Sequence, residues 1–159
     1  MQWDLLERFE VIQKGGYAKA QKSFNGNEDF FEEHYPSKPV VPEPFFIEMI
    51  AQTGGVLFGL ELNFEKEIVL AKVSRAIFQS SVAPPCRLDV EAKIDEQREE
   101  GAWISGTVKK DGEIVAVAQL LLVTMDSLDG SGKKHVVFSP YFLGHFDIYN
   151  IAKRSEASK

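Results

Sequence analysis

The sequence predicts an α+β domain in which one antiparallel β-sheet wraps around a long central α-helix. Three observations carry that expectation. A proline-opened, almost wholly apolar segment spans about residues 44 to 60, and four strand-like runs follow it in close succession. The last two runs meet at Lys110-Asp111-Gly112-Glu113, where Asp-Gly supplies the positive φ angles of a two-residue hairpin. The chain has 159 residues, 44% of them hydrophobic and 26% charged, which suits one soluble globular domain able to bury a core without staples. The single cysteine, Cys86, leaves no intrachain bridge and excludes a Cys-rich zinc site.

Taken in order, residues 5–12 form a short lead segment and residues near 17–24 a strand. Four of the seven prolines, Pro36, Pro39, Pro42 and Pro44, fall within nine residues. Their fixed φ angles, and the extended conformation forced on each preceding residue, make this stretch a stiff strap. It runs straight into the helix, with Pro44 at the first helical position, where its missing N–H costs nothing. Phe45, Phe46, Ile47, Met49, Ile50, Val56, Leu57 and Phe58 cover most directions of the helical wheel, so the helix is expected to be enclosed on all sides. A narrow stripe of Glu48, Gln52, Gly55 and Gly59 is the exception, and its two bare backbone positions predict a close approach by another group.

A turn at 63–66 leads to strands at 68–79 and 87–97, the second alternating Leu88, Val90, Ala92 and Ile94 with charged residues. Strands at 102–109 and 114–125 follow, and the run from Val115 to Val123 reads as a central strand covered on both faces. Residues 126–134 read as a polar linker, 136–151 as an aromatic tail with Phe138, Tyr141, Phe142, Phe146 and Tyr149, and 154–159 as disordered. The division is therefore a domain at 1–125 and a linker with its tail at 126–159.

The net charge of −6 disfavours broad electrostatic binding to nucleic acid or anionic lipid. No run of apolar residues is long enough to suggest a membrane span, and the opening Met1-Gln2-Trp3-Asp4 does not begin a secretory signal, so a cytoplasmic location is expected.

His34 ends the run Phe30-Phe31-Glu32-Glu33-His34, fourteen residues before Glu48, and the strap fixes that separation. A carboxyl on an apolar helix sheds hydration, which favours a protonated, proton-donating form, while a histidine accepts a proton near neutral pH without large perturbation. The two could divide acid and base roles. For His34 the alternative is a loop histidine capping carbonyls; for Glu48 it is a carboxylate paired with Arg75. Cys86 reads as an inert thiol.

The run His34-Tyr35-Pro36-Ser37-Lys38-Pro39-Val40-Val41-Pro42-Glu43-Pro44 and its continuation through Glu48 and Ala51-Gln52-Thr53-Gly54-Gly55 closely resemble the signature of 3-hydroxyacyl-acyl carrier protein dehydratases of the hot-dog fold, the FabZ/FabA type. The resemblance extends over about residues 5–125 and includes the histidine-to-acid spacing. It implies that His34 is the catalytic base, that Glu48 is the catalytic acid, and that the two come from opposite subunits of a homodimer, with a trimer of dimers as a larger option. It also implies that Gln52 supports Glu48, that the acyl chain lies in a tunnel along the helix beside Gly55, and that acyl carrier protein presents the substrate, with no metal or other cofactor. Glu48 as the acid looks like the dehydratase without double-bond isomerase activity. Glu43 and Pro44 depart from the pattern: Glu43 takes the place of the family's glycine, whose N–H polarises the thioester carbonyl, and Pro84-Pro85-Cys86 replaces its Pro-Gly-Asp turn. Two readings stay open beside dehydration. One is a thioesterase in which Glu48 activates water; the other is an acyl-thioester-binding subunit without catalysis.

Overall fold

A computed structural model describes residues 5–125 and 137–158. Six strands form one sheet in the order β1-β2-β4-β5-β6-β3, each neighbouring pair antiparallel. They are β1 (Arg8–Gln13), β2 (Tyr17–Phe24), β3 (Glu67–Phe78), β4 (Cys86–Arg98), β5 (Gly101–Lys110) and β6 (Glu113–Met125). The sheet curls around α2 (Glu43–Glu61), as predicted, and the four later strands fall within two residues of their expected bounds.

Local sequence explains each element. In β4, Leu88, Val90, Ala92 and Ile94 are buried while the intervening residues face outward, the period-two pattern of a sheet with one covered face. Asp111 and Gly112 take φ values of 51° and 81° and close the β5–β6 hairpin. Helix and sheet approach closely where side chains are absent: a Cβ at Gly54 would stand 2.7 Å from Ile104 Cγ2, and Gly106 on β5 leaves the space that Ile50 fills.

Four expectations need correction. The helix begins at Glu43, with Pro44 second, because Pro42 already caps it in an extended conformation with ψ 129°. Strand β6 is interior, between β5 and β3, yet only one face is covered: Ala116, Ala118, Leu120 and Leu122 are buried while Gln119 is exposed, since α2 lies on one side of the sheet. The lead segment contains a strand of its own, β1, with a register shift between Phe9 and Val11.

The fourth correction concerns the tail, which folds into α3 (Pro140–His145) and α4 (Ile148–Ala157), so the disorder expected from residue 154 is replaced by helix. Ser139 caps α3 by accepting from the Phe142 N–H at 3.1 Å, and Pro140 follows at the helix start. Helix α4 packs on β1, where the Ile12 N–H donates to Ser155 Oγ at 3.2 Å. A one-turn helix, α1 (Phe30–Glu33), precedes the strap. The predicted linker at 126–134 lies outside the described residues. Among the described residues no helix is long and apolar enough to cross a membrane.

Candidate active site

His34 is positioned from both sides in sequence. Upstream, the Glu28 carboxylate accepts the Asn25 N–H at 2.9 Å and the Gly26 N–H at 2.8 Å, tying down the loop before α1. Burial alone would raise the Glu28 pKa, but the donated backbone N–H groups hold it below the usual carboxylate range. Phe30 and Phe31 then set their rings edge-on to Phe24 at 5.8 and 6.0 Å, and Phe30 meets Phe45 of α2 at 5.0 Å. Helix α1 is thus clamped between β2 and the start of α2.

Downstream, the Lys38 N–H donates to the Tyr35 carbonyl at 3.0 Å, and Val41 N–H to the Val82 carbonyl at 2.8 Å, so the strap is anchored to the chain ahead of β4. His34 itself is half-buried, stacks on Tyr35 at 4.2 Å, and places Nδ1 3.3 Å from the Val40 carbonyl. A carbonyl only accepts, so in the neutral ring the proton sits on Nδ1 and the lone pair on Nε2. The carbonyl contact expected of a capping histidine is present, and it is compatible with a basic Nε2.

Glu48 lies on α2 with its side chain exposed, and its Oε1 accepts from Gln52 Nε2 at 2.9 Å. Glu48 belongs to the stripe already excepted from enclosure; the correction is at the start of the helix, where the sequence predicts that Phe45 and Ile47 are covered. From Met49 to Leu60 it is buried apart from Gln52, but Phe45 and Ile47 are half-buried and Glu48 faces solvent, because the adjoining β3 is the sheet edge and no further strand pairs with it among the described residues. Among the described residues Glu48 and Arg75 form no ion pair. Arg75 instead lines a groove with Tyr17 and Glu91 on the outer face of the sheet.

Glu48, Gln52 and Gly55 line one cavity of about 580 Å³ between α2, β3 and the 137–146 segment. His34 does not line it. The predicted stripe is real, and its close approach is made by the chain itself: a Cβ at Gly55 would stand 2.7 Å from Phe138 Cζ. Glu43 is exposed at the first helical position, where the geometry leaves its N–H without an intrahelical acceptor and the helix dipole adds positive potential. Its carboxylate occupies that same end.

The sequence leaves two readings for the tail aromatics, packing or closure of one end of an acyl tunnel, and gives His145 no motif. The structure brings Phe138, Tyr141, Phe142 and His145 to the wall of the cavity that holds Glu48, with the His145 ring stacked on Tyr141 at 5.8 Å. The signal available was the density of aromatic residues; what it lacked was any local indication of where they dock. Cys86 opens β4 half-buried, and burial pushes its thiol up despite the opposing charge of Lys110, which keeps it an unreactive thiol at neutral pH.

Comparison with known proteins shows the family. The 3-hydroxyacyl-acyl-carrier-protein dehydratase FabZ of Bacillus velezensis is 32% identical over 117 residues, spanning 73% of this chain and 83% of that protein. The FabZ dehydratase of Xanthomonas euvesicatoria is 35% identical over 105 residues, 64% of this chain and 69% of the relative. In fold, the dehydratase heterocomplex ApeI:P from Xenorhabdus doucetiae superposes with a TM-score of 0.63 at 16% identity, covering 83% of this chain and 89% of that one. Residues 3–119 match the FabA-like domain, which takes in His34, the strap, Glu48 and the helix that carries it, and the chain belongs to that hot-dog family.

Proposed function

We propose that the protein is a lyase that interconverts a 3-hydroxyacyl thioester, carried by acyl carrier protein, with the trans-2-enoyl thioester and water in fatty-acid biosynthesis. The observation that carries this reading is the contact of His34 Nδ1 with the Val40 carbonyl, which in the neutral ring leaves Nε2 a ready acceptor for the α proton. In the forward direction Nε2 takes that proton, the C–H electron pair becomes the C2–C3 double bond, and the C3 hydroxyl leaves as water with a proton from Glu48. The Glu43 N–H at the start of α2 faces the developing enolate oxygen.

The active species is a homodimer in which His34 of one copy meets Glu48 of the other. Three features support this: His34 and Glu48 do not share a cavity within one chain, Glu48 is exposed, and the edge strand β3 beside it exposes Leu70 and Val73 at 39% and 40%. An unpaired edge with apolar side chains is a template for another strand, and a second copy closing there would exclude water from Glu48. Residues 1–125 carry the acid, the base and the strap between them, and the tail from Val137 adds wall to the cavity beside Glu48. The protein works in the cytoplasm on soluble carrier-bound substrates.

The test is hydration of a trans-2-enoyl thioester, followed by loss of its ultraviolet absorbance while free thiol is monitored. Turnover without thiol release, reduced about 10² to 10⁴-fold in both His34→Ala and Glu48→Gln, is the expected result. Thiol release dependent on Glu48 would establish a thioesterase instead, and binding without any turnover an acyl-binding subunit.

A further inference from the structure

Part of the wall of the cavity beside Glu48 comes from a segment beyond residues 3–119, the part that matches the family. Along the bare stripe of α2, seven residues separate Glu48 from Gly55, a rise of about 10.5 Å at about 1.5 Å per residue. An apolar chain extending from a thioester at Glu48 passes Gln52 and then meets the Phe138 ring, which lies directly on the Gly55 backbone.

That ring is buttressed. The preceding Val137 N–H donates to Glu67 Oε2 at 2.6 Å, and the ring itself packs 6.0 Å from Phe64 and 5.2 Å from Phe142. Phe142 in turn meets Phe146 at 4.7 Å, and Phe146 meets Phe9 of β1 at 5.7 Å. Phe138 thus ends an aromatic chain rooted in the sheet, and moving it gives up buried contacts along that chain.

We propose, on the reading that this cavity receives the acyl group, that Phe138 is the end-stop of the acyl groove and sets the longest chain the protein accepts. A chain that ends before Gly55 gains apolar contact with each added methylene; a longer one must displace the ring or leave its end in water.

The test is calorimetric binding of trans-2-crotonyl-, trans-2-octenoyl- and trans-2-hexadecenoyl-coenzyme A to the parent protein, Phe138→Ala and Phe138→Leu, with turnover read in the same samples. In the parent, affinity rises from crotonyl to octenoyl and falls at hexadecenoyl. In Phe138→Ala the ratio of hexadecenoyl to crotonyl affinity rises about tenfold or more, which is about 1.4 kcal/mol. Phe138→Leu retracts the ring edge from Gly55 while keeping an apolar side chain, and carries the comparison if circular dichroism shows the alanine variant unfolded. An unchanged chain-length profile in the folded variants overturns the proposal. A profile that moves without turnover in any protein leaves the end-stop standing and removes the dehydration reading. Turnover with an unmoved profile does the reverse, and no binding at any length removes both.

Discussion

Gln52 Nε2 donates to Glu48 Oε1 at 2.9 Å, one turn along the same helix, so the carboxyl that faces the cavity is aimed by its own element. Neighbours at i and i+4 lie one above the other on a helix, and the amide can reach the acid without strain. One carboxyl oxygen is occupied in this way, which leaves Oε2 for a reacting group. Replacing Gln52 by Ala frees the Glu48 rotamer while leaving both acid and base in place. The expected outcome is a fall in kcat of about tenfold, with KM little changed and thermal unfolding within about 1 kcal/mol of the parent. Rescue by Gln52→Asn would not be expected, because the shorter side chain does not reach; a loss confined to KM would contradict the positioning role.

If His34 and Glu48 meet across two copies, mixed dimers separate the two defects. A dimer of one His34→Ala chain and one Glu48→Gln chain holds one site with both defects and one with neither. Each variant alone is inactive, and mixing equal amounts under conditions that allow exchange should restore about a quarter of the parent activity, since half of the dimers are mixed and each has one intact site of two. Introducing Val73→Lys on the exposed edge of β3 should yield a monomer by sedimentation and abolish turnover. Full activity in a monomeric Val73→Lys protein would show that one chain suffices.

The depressed pKa of Glu28 predicts a pH dependence with a definite sign. Its charged form is favoured in the folded state, so its contribution to stability is present above the unfolded carboxylate range, about 4.3, and is lost as the pH falls through the lower folded value. In urea titrations the parent should therefore exceed Glu28→Gln in midpoint near neutral pH, with the gap narrowing below about pH 4. Because the same carboxylate ties the loop ahead of α1, the variant should also lose activity through His34 placement. A gap that widens on acidification would refute this account.

Gly106 tests the helix-to-sheet contact. A side chain there collides with Ile50, whose branch fills the space over β5. Gly106→Ala should destabilise by about 1 to 3 kcal/mol, read as a lower urea midpoint at unchanged slope, and it should cost less in an Ile50→Ala background, which removes both γ carbons that the new Cβ meets.

How much of this was legible without coordinates follows from the range over which each feature is encoded. The helix from about 44 to 60, the strand alternation of β4, the Asp111-Gly112 turn and the rigid link from His34 to Glu48 are written in spacings of a few residues, where proline geometry and side-chain periodicity act directly, so the sequence determined them. The order β1-β2-β4-β5-β6-β3 is decided by pairings between distant segments, and it alone makes β3 an edge and leaves Glu48 uncovered. The same holds for the tail. Phe138 and Gly55 are 83 residues apart, and no local pattern says that one seats on the other. Sequence supplied the acid, the base and the bare stripe; tertiary packing decided which neighbours cover them, because burial belongs to the arrangement of elements in space and not to any one segment.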